Sequence, residues 1–177
     1  LFSSSKVNED PSKEPHLLRG KVKSSYHEGP AVLLPEGSLL FTRNNYMGGK
    51  AGKSREGVNK LKLYTASGPG WGKITSFPYN NNEYSTGHPT VSGDGKVLVF
   101  SSDMPRGFGG TDLYYCVRTG DGKKWGRPVN LGPKINTEGH EQFPYLDKNG
   151  KLYFSSTGHS GLGGLDIFEV ILKDLKP

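Results

Sequence analysis

Three segments of this chain repeat one another in the same order, and tandem repetition restricts the fold more than any other property of a sequence. The first segment reads Gly29-Pro30-Ala31-Val32, then Leu39-Leu40-Phe41-Thr42-Arg43, then Gly48-Gly49, then Leu63-Tyr64. The second reads His88-Pro89-Thr90-Val91, Leu98-Val99-Phe100-Ser101-Ser102, then Gly109-Gly110-Thr111-Asp112-Leu113-Tyr114. The third reads Phe143-Pro144-Tyr145-Leu146, Leu152-Tyr153-Phe154-Ser155-Ser156, then Gly163-Gly164-Leu165-Asp166-Ile167-Phe168. Pro30, Pro89 and Pro144 recur at intervals of about 55–59 residues, the range of a propeller blade with long loops. Trp71 and Trp125, each followed by Gly, also recur, as do Glu83 and Glu138, each six positions before its proline.

Each repeat predicts four strands. Strand a is expected to follow the proline, which can start a central strand but not continue one. A turn at Pro35-Glu36-Gly37, Gly93-Asp94-Gly95-Lys96 or Asp147-Lys148-Asn149-Gly150 then leads to strand b, the Leu/Val-aromatic-Ser/Thr run. A glycine-rich loop leads to strand c at 61–65, 113–117 or 167–171, and strand d is expected to begin near Trp71 or Trp125. Four antiparallel strands in tandem make a propeller blade. The expected fold is all-β, a β-propeller segment of about three blades, incomplete. The expected division is residues 1–27 as the end of a preceding blade, 28–82 and 83–137 as blades, and 138–177 as a partial blade. Leu1-Phe2 occupies the place of Leu113-Tyr114, so the chain is expected to open in strand c of an earlier blade. The lack of an initiating Met reads as a mature or excised piece of a longer protein.

Composition agrees. Gly 26 and Pro 12 make up roughly a fifth of the 177 residues, well above average usage, while aromatics reach 11%. Disordered chains are poor in aromatics, and helical bundles are poor in glycine and proline. Mean hydropathy is −0.61 and no apolar run approaches the ~20 residues of a membrane-spanning helix. The net charge of +6 permits anionic partners without requiring nucleic acid. Its one dense cluster, Lys50, Lys53, Arg55, Lys60 and Lys62, reads as a solvated loop. Cys116 has no partner for an internal disulfide and lies in an apolar strand, where Cys behaves as a small hydrophobe.

Ser92-Gly93-Asp94-Gly95-Lys96 with 97–102 resembles the signature of WD40-like, TolB-type (PD40) propeller repeats. Gly109–Tyr114, Trp125-Gly126-Arg127-Pro128-Val129-Asn130-Leu131-Gly132, Ile135-Asn136-Thr137, 154–159 and 161–168 are similar to the propeller of OmpA-family envelope proteins, in particular the PorE-type components of the type IX secretion system. The resemblance covers nearly all of the chain. It departs at Pro35-Glu36-Gly37, at Gly93 and in an insertion after Gly49. It implies a non-enzymatic binding and scaffolding module of a peptidoglycan-tethered secretion protein, in the periplasm and associated with the outer membrane. The implied partners are other envelope and secretion proteins, with peptidoglycan held only by a neighbouring domain outside this chain. No cofactor, nucleic-acid partner or membrane span is expected. Alternatives are the substrate-gating propeller of a prolyl-oligopeptidase-type peptidase, or a carbohydrate-binding propeller using Trp71 and Trp125.

The residues themselves show no catalytic constellation. Gly48–Ser54 lacks the first glycine of a phosphate-binding loop, no Gly-x-Ser-x-Gly elbow occurs, and the five histidines form no His-Glu-x-x-His pair. Calcium needs six to eight oxygens, more than one Asp per repeat supplies. Asp112 and Asp166 are expected to accept backbone N–H groups and organise the b–c loops, with Asn59 near the matching place in the first repeat. Gly109, Gly110, Gly163 and Gly164 are expected to allow positive φ or close backbone approach. Trp71 and Trp125 are expected to cover the blades from strand d, with the indole N–H given to a carbonyl, and Glu83 and Glu138 to tie blade to blade. The b–c loops supply the candidate partner-binding residues: Arg43, Asn45, Tyr46 and Met47, then Met104, Arg106 and Phe108, then His159 and Leu162.

Overall fold

The computed structural model describes residues 2–3, 16–18, 20–120, 122 and 124–172. Runs of Leu, Val, Phe and Ser bounded by glycine-containing turns give strands in the order β1 (Phe2–Ser3), β2 (His16–Leu17), β3 (Glu28–Leu33), β4 (Leu39–Asn44), β5 (Tyr46–Met47), β6 (Lys50–Ala51), β7 (Leu61–Ser67), β8 (Lys73–Ser76), β9 (Thr86–Val91), β10 (Val97–Ser102), β11 (Asp112–Thr119), β12 (Lys124–Trp125), β13 (Val129–Asn130), β14 (Glu141–Leu146), β15 (Lys151–Ser156) and β16 (Asp166–Ile171). Three antiparallel sheets follow: β3-β4-β7-β8, then β9-β10-β11 with β12 and β13 both on β11, then β14-β15-β16. β5-β6 is a small hairpin inside the first b–c loop, and β1 pairs with β2. The fold is all-β, an incomplete propeller. Much of the 1–27 segment, including Leu1, lies outside the described residues.

The sheets stack face to face because strand b is apolar on both sides. On β10, Leu98 and Phe100 join Leu40 and Leu63 of the first sheet and Phe77 just after it, with Cys116 in the same cluster. Val99, on the opposite side of β10, joins Leu146, Leu152 and Phe154 of the third sheet. Leu39 and Phe41 of β4 pack with Val22 on the outer face of the first sheet. Burying each such side chain contributes roughly 1.5–3 kcal/mol. An aromatic cross-strand pair marks every blade: Phe41 with Tyr64, Phe100 with Tyr114, and Phe154 with Phe168, at centroid separations of 6.1, 6.1 and 5.9 Å.

Strand a does not begin after its proline. Pro30, Pro89 and Pro144 lie inside β3, β9 and β14, at a bulge where two residues of strand a face one of strand b. The bulge removes the ladder bond that proline cannot donate, so the strand continues through it. Strand d also differs. Gly68-Pro69-Gly70 forces a 3-10 turn at Pro69–Trp71, so Trp71 precedes β8. Pro128 interrupts the second strand d and leaves two short pieces, β12 and β13.

Candidate binding face

β4, β10 and β15 are equivalent strands, so the b–c loops 45–60, 103–111 and 157–165 leave the sheets at one end. The linkers 77–85 and 131–140 return to that end, and polar bonds join loop to linker and loop to loop. Asn45 Nδ2 donates to Asn82 Oδ1 at 2.8 Å, Lys60 Nζ pairs with Asp103 at 3.0 Å, and Gly110 N donates to Gly139 O at 2.8 Å. The result is a braced surface rather than free loops.

The aspartates build the loops. Asp112 accepts from Phe108 N at 2.6 Å, Gly109 N at 3.2 Å and Asn130 Nδ2 at 2.7 Å. Asp166 accepts from Gly163 N at 3.1 Å. The two glycine pairs serve different ends. A Cβ on Gly109 would meet Thr137 O, and one on Gly110 the His140 ring, so both permit close approach. Gly163 and Gly164 adopt φ of 119° and 70° in open space. Trp71 Nε1 donates to Gly37 O at 3.1 Å, while Trp125 stacks under the Arg118 guanidinium at 4.7 Å.

Pairing register places Lys62, not Asn59, at the aspartate position of the first blade. Lys62 faces Arg43 as Asp112 faces Ser102 and Asp166 faces Ser156. Lys62 is buried at 2% exposure, which removes it from the solvated basic loop. Its Nζ donates to Leu61 O and Tyr84 O at 3.0 and 2.6 Å, and burial pulls its pKa down to about 8. Asn59 instead brackets Asn45, accepting from its N at 2.7 Å and donating to its O at 3.2 Å.

The closest blade-to-linker ties are made by residues other than Glu83 and Glu138. Asn80 and Asn136 each bond both N and O of a strand-c leucine, Leu63 and Leu113, at 2.7–3.1 Å. Glu141, fully buried, accepts from Thr137 N, Thr137 Oγ1 and Ser156 Oγ at 2.9, 2.6 and 2.6 Å. Glu83 only accepts two 3.3 Å contacts from Arg55 N. The Asn-x-x-x-x-Ser and Asn-Thr-x-x-x-Glu patterns around these groups carry no sequence signal that separates them from ordinary turn residues.

The nine candidate loop residues divide. Arg43 is buried, donating to Lys21 O and Val22 O at 2.9 Å and lying over the Phe41 ring, because it lies within strand b rather than opening the loop. Met104 packs on the first core cluster. His159 Nε2 donates to Ile135 O at 2.8 Å. Asn45 is committed to Asn59 and Asn82, and Tyr46 is half-buried against Tyr26 at 4.3 Å. Met47, Arg106, Phe108 and Leu162 are exposed. Val58 and Leu165, which sequence reasoning passed over, stand exposed beside them. Every b–c loop thus offers at least one large apolar side chain to solvent.

Two cavities lie elsewhere. One of about 800 Å³ opens between the first two sheets, lined by Phe77, Tyr79, Arg118 and Trp125, with Arg118 paired to Glu36 at 2.6 Å. Another, about 220 Å³, lies beside the strand-a bulges and includes His88, Asp103 and Gln142. His88 and Phe143 occupy equivalent bulge positions with φ of 54° and 52°, and their rings stack at 4.2 Å. Burial lowers the His88 pKa, so its imidazole is neutral at neutral pH. Among the described residues no three His, Cys, Asp or Glu side chains converge in a manner that could hold a metal ion.

These sheets, stacked on shared strand-b cores and joined by loops at one end, define a propeller-like all-β class of protein. A solved puromycin-hydrolyzing peptidase of Mycobacterium tuberculosis is similar in structure, with a TM-score of 0.54 and 19% identity. The similarity covers 93% of this chain and 23% of that one, so this chain spans about a quarter of the peptidase's length. At that identity the likeness shows the fold alone. The sequence matches no protein-family model and no curated protein.

Proposed function

We propose that this chain is a non-enzymatic protein-binding segment of a propeller, working as a scaffold in the bacterial cell envelope. On this reading it belongs to a peptidoglycan-tethered, outer-membrane-associated protein of a secretion machine. One observation carries the binding role: Met47, Val58, Phe108, Leu162 and Leu165 project from three braced loops at one end, each at least 47% exposed. Exposed apolar side chains on a rigid frame are the raw material of protein interfaces. The envelope setting rests on the resemblance of the repeat motifs.

A photo-crosslinking amino acid placed at Phe108 or Leu162 of the full-length protein in cells tests this reading. Adducts with envelope proteins are expected at both positions and none at Leu33, an exposed side chain near the opposite end. Equal yields at all three positions, or none at any, would overturn it. The fold likeness to a peptidase favours a second reading, a module that filters substrates for a hydrolase domain on the same polypeptide. Hydrolysis of short peptides by the full-length protein, abolished by a serine-directed inhibitor, would favour it instead.

A further inference from the structure

A cavity of about 460 Å³ opens between the linker that precedes β3 and the first b–c loop. Lys21, Lys23 and Arg43 line it, together with Ser24, Tyr46 and Met47. Among the described residues three basic ones thus line it and no acidic one does; the carboxylate of Glu28 lies behind the lining, against Ser24 and Arg43. That carboxylate is already engaged: Ser24 Oγ donates to it at 2.5 Å, and Arg43 Nε lies 3.5 Å away. The Arg43 contact is an ion pair without a hydrogen bond, and the Nε–H has no acceptor although its side chain is only 6% exposed. Burial lowers the Arg43 pKa, and Glu28 opposes that shift. Both Nη2 bonds go to backbone carbonyls, so the guanidinium is fixed before any ligand arrives.

We infer that this cavity is a carboxylate-binding pocket that receives an acidic side chain from an extended segment of a partner protein. The inference rests on the protein-binding reading and names the chemistry of the partner. Charge complementarity is the first argument: among the described residues Lys21, Lys23 and Arg43 outnumber the one carboxylate beside them, and Lys50, Lys53 and Arg55 continue the positive charge along the adjoining loop. The second is the wall. The Tyr46 ring, tilted against Tyr26, and the exposed Met47 give an apolar side on which the aliphatic part of a glutamate and its neighbours can lie. The third is continuity, since Met47 belongs equally to the apolar loop face. A peptide crossing that face reaches the pocket without leaving the surface.

Fluorescence anisotropy of a fluorescein-labelled glutamate hexamer, titrated with the full 177-residue chain, tests the pocket. Saturable binding that weakens with added salt is expected, with no binding by a glutamine hexamer. The double variant Lys21→Glu/Lys23→Glu is expected to weaken binding by roughly tenfold or more. Lys134→Glu/Lys148→Glu, which changes net charge equally at exposed positions outside the cavity, is expected to weaken it less than about threefold. Equal loss in both double variants would reduce the effect to overall charge and overturn the site. Saturable binding of inorganic phosphate by calorimetry, with no binding of the hexamer, would overturn the peptide assignment in favour of a small anion. If the double variant fails to fold, the single variants Lys21→Gln and Lys23→Gln carry the same comparison. Failure here with the Phe108 adducts intact removes the acidic segment alone, whereas failure of both removes the protein-binding reading as well.

Discussion

Lys62 shows how one residue can carry a pH dependence of the whole fold. Its folded pKa of about 8 lies below the ordinary lysine value of 10.5, because burial disfavours the ammonium. Between those two pH values the unfolded chain binds the proton and the folded chain has released it. Stability from this group therefore rises with pH through that window and is constant below it. Relative to Lys62→Met, wild type should gain about 1–2 kcal/mol from pH 8 to pH 10, measured by urea unfolding at both. A constant difference between the two proteins would contradict the assignment. Cys116 gives a second test. It is fully buried in the first core cluster, and burial pushes its thiol up to about 12. Its reaction with a disulfide reagent at pH 8 should be at least about a hundredfold slower in the native protein than in urea. Equal rates would mean that the strand opens freely. The lone cysteine among apolar neighbours was readable from the sequence. Lys62 was not, because the equivalence of Lys62 and Asp112 is a fact of strand register, hidden by the insertion in the first loop.

At the scale of elements, the b–c loops hold their shape through two different uses of glycine, and substitution separates them. Gly109→Ala places a methyl against Thr137 O in the neighbouring linker, an overpacking cost of about 1–3 kcal/mol. Gly164→Asn meets no atom within 4 Å at φ of 70°, a conformation asparagine tolerates, and should cost less than about 1 kcal/mol. Thermal melts of the two variants check the order; the reverse order would show that the Gly110–Gly139 junction yields where it was taken to be rigid. The strand-b runs and the Gly-Gly-x-Asp loops were legible in the sequence because local alternation and turn chemistry specify them. The bulges were not, since placing two residues opposite one depends on the partner strand. That pairing makes Pro30 the equivalent of His88 and Phe143, one position away from Pro89 and Pro144. The inward turn of Arg43, Met104 and His159 was hidden for the same reason: loop membership can be read from spacing, but the packing of neighbouring linkers over a loop cannot.

For the whole molecule, the stacked sheets imply an uneven distribution of stability. β10 lies between β9 and β11 in its own sheet, and its two faces are packed against the first and third sheets. Among the described residues β16 pairs only with β15, and Ile167 and Ile171 on its open side are 78% and 58% exposed. The equivalent of Ile167 in the second blade, Leu113, is fully buried because the third sheet covers it. Repeat architectures are held by nearest-neighbour interfaces, so a sheet with one interface opens before a sheet with two. Hydrogen exchange of the 177-residue chain should therefore show the bonded amides of 166–171 exchanging at least about a hundredfold faster than the slowest amides of 97–102. Denaturant should accelerate the two classes differently, the first through local opening and the second through global unfolding. If the amides of β16 proved as slow as those of β10, its open face would have to be covered in solution. A protection that then fell on dilution would identify the cover as a second copy of the chain. A protection independent of concentration would contradict the one-interface account of the third sheet.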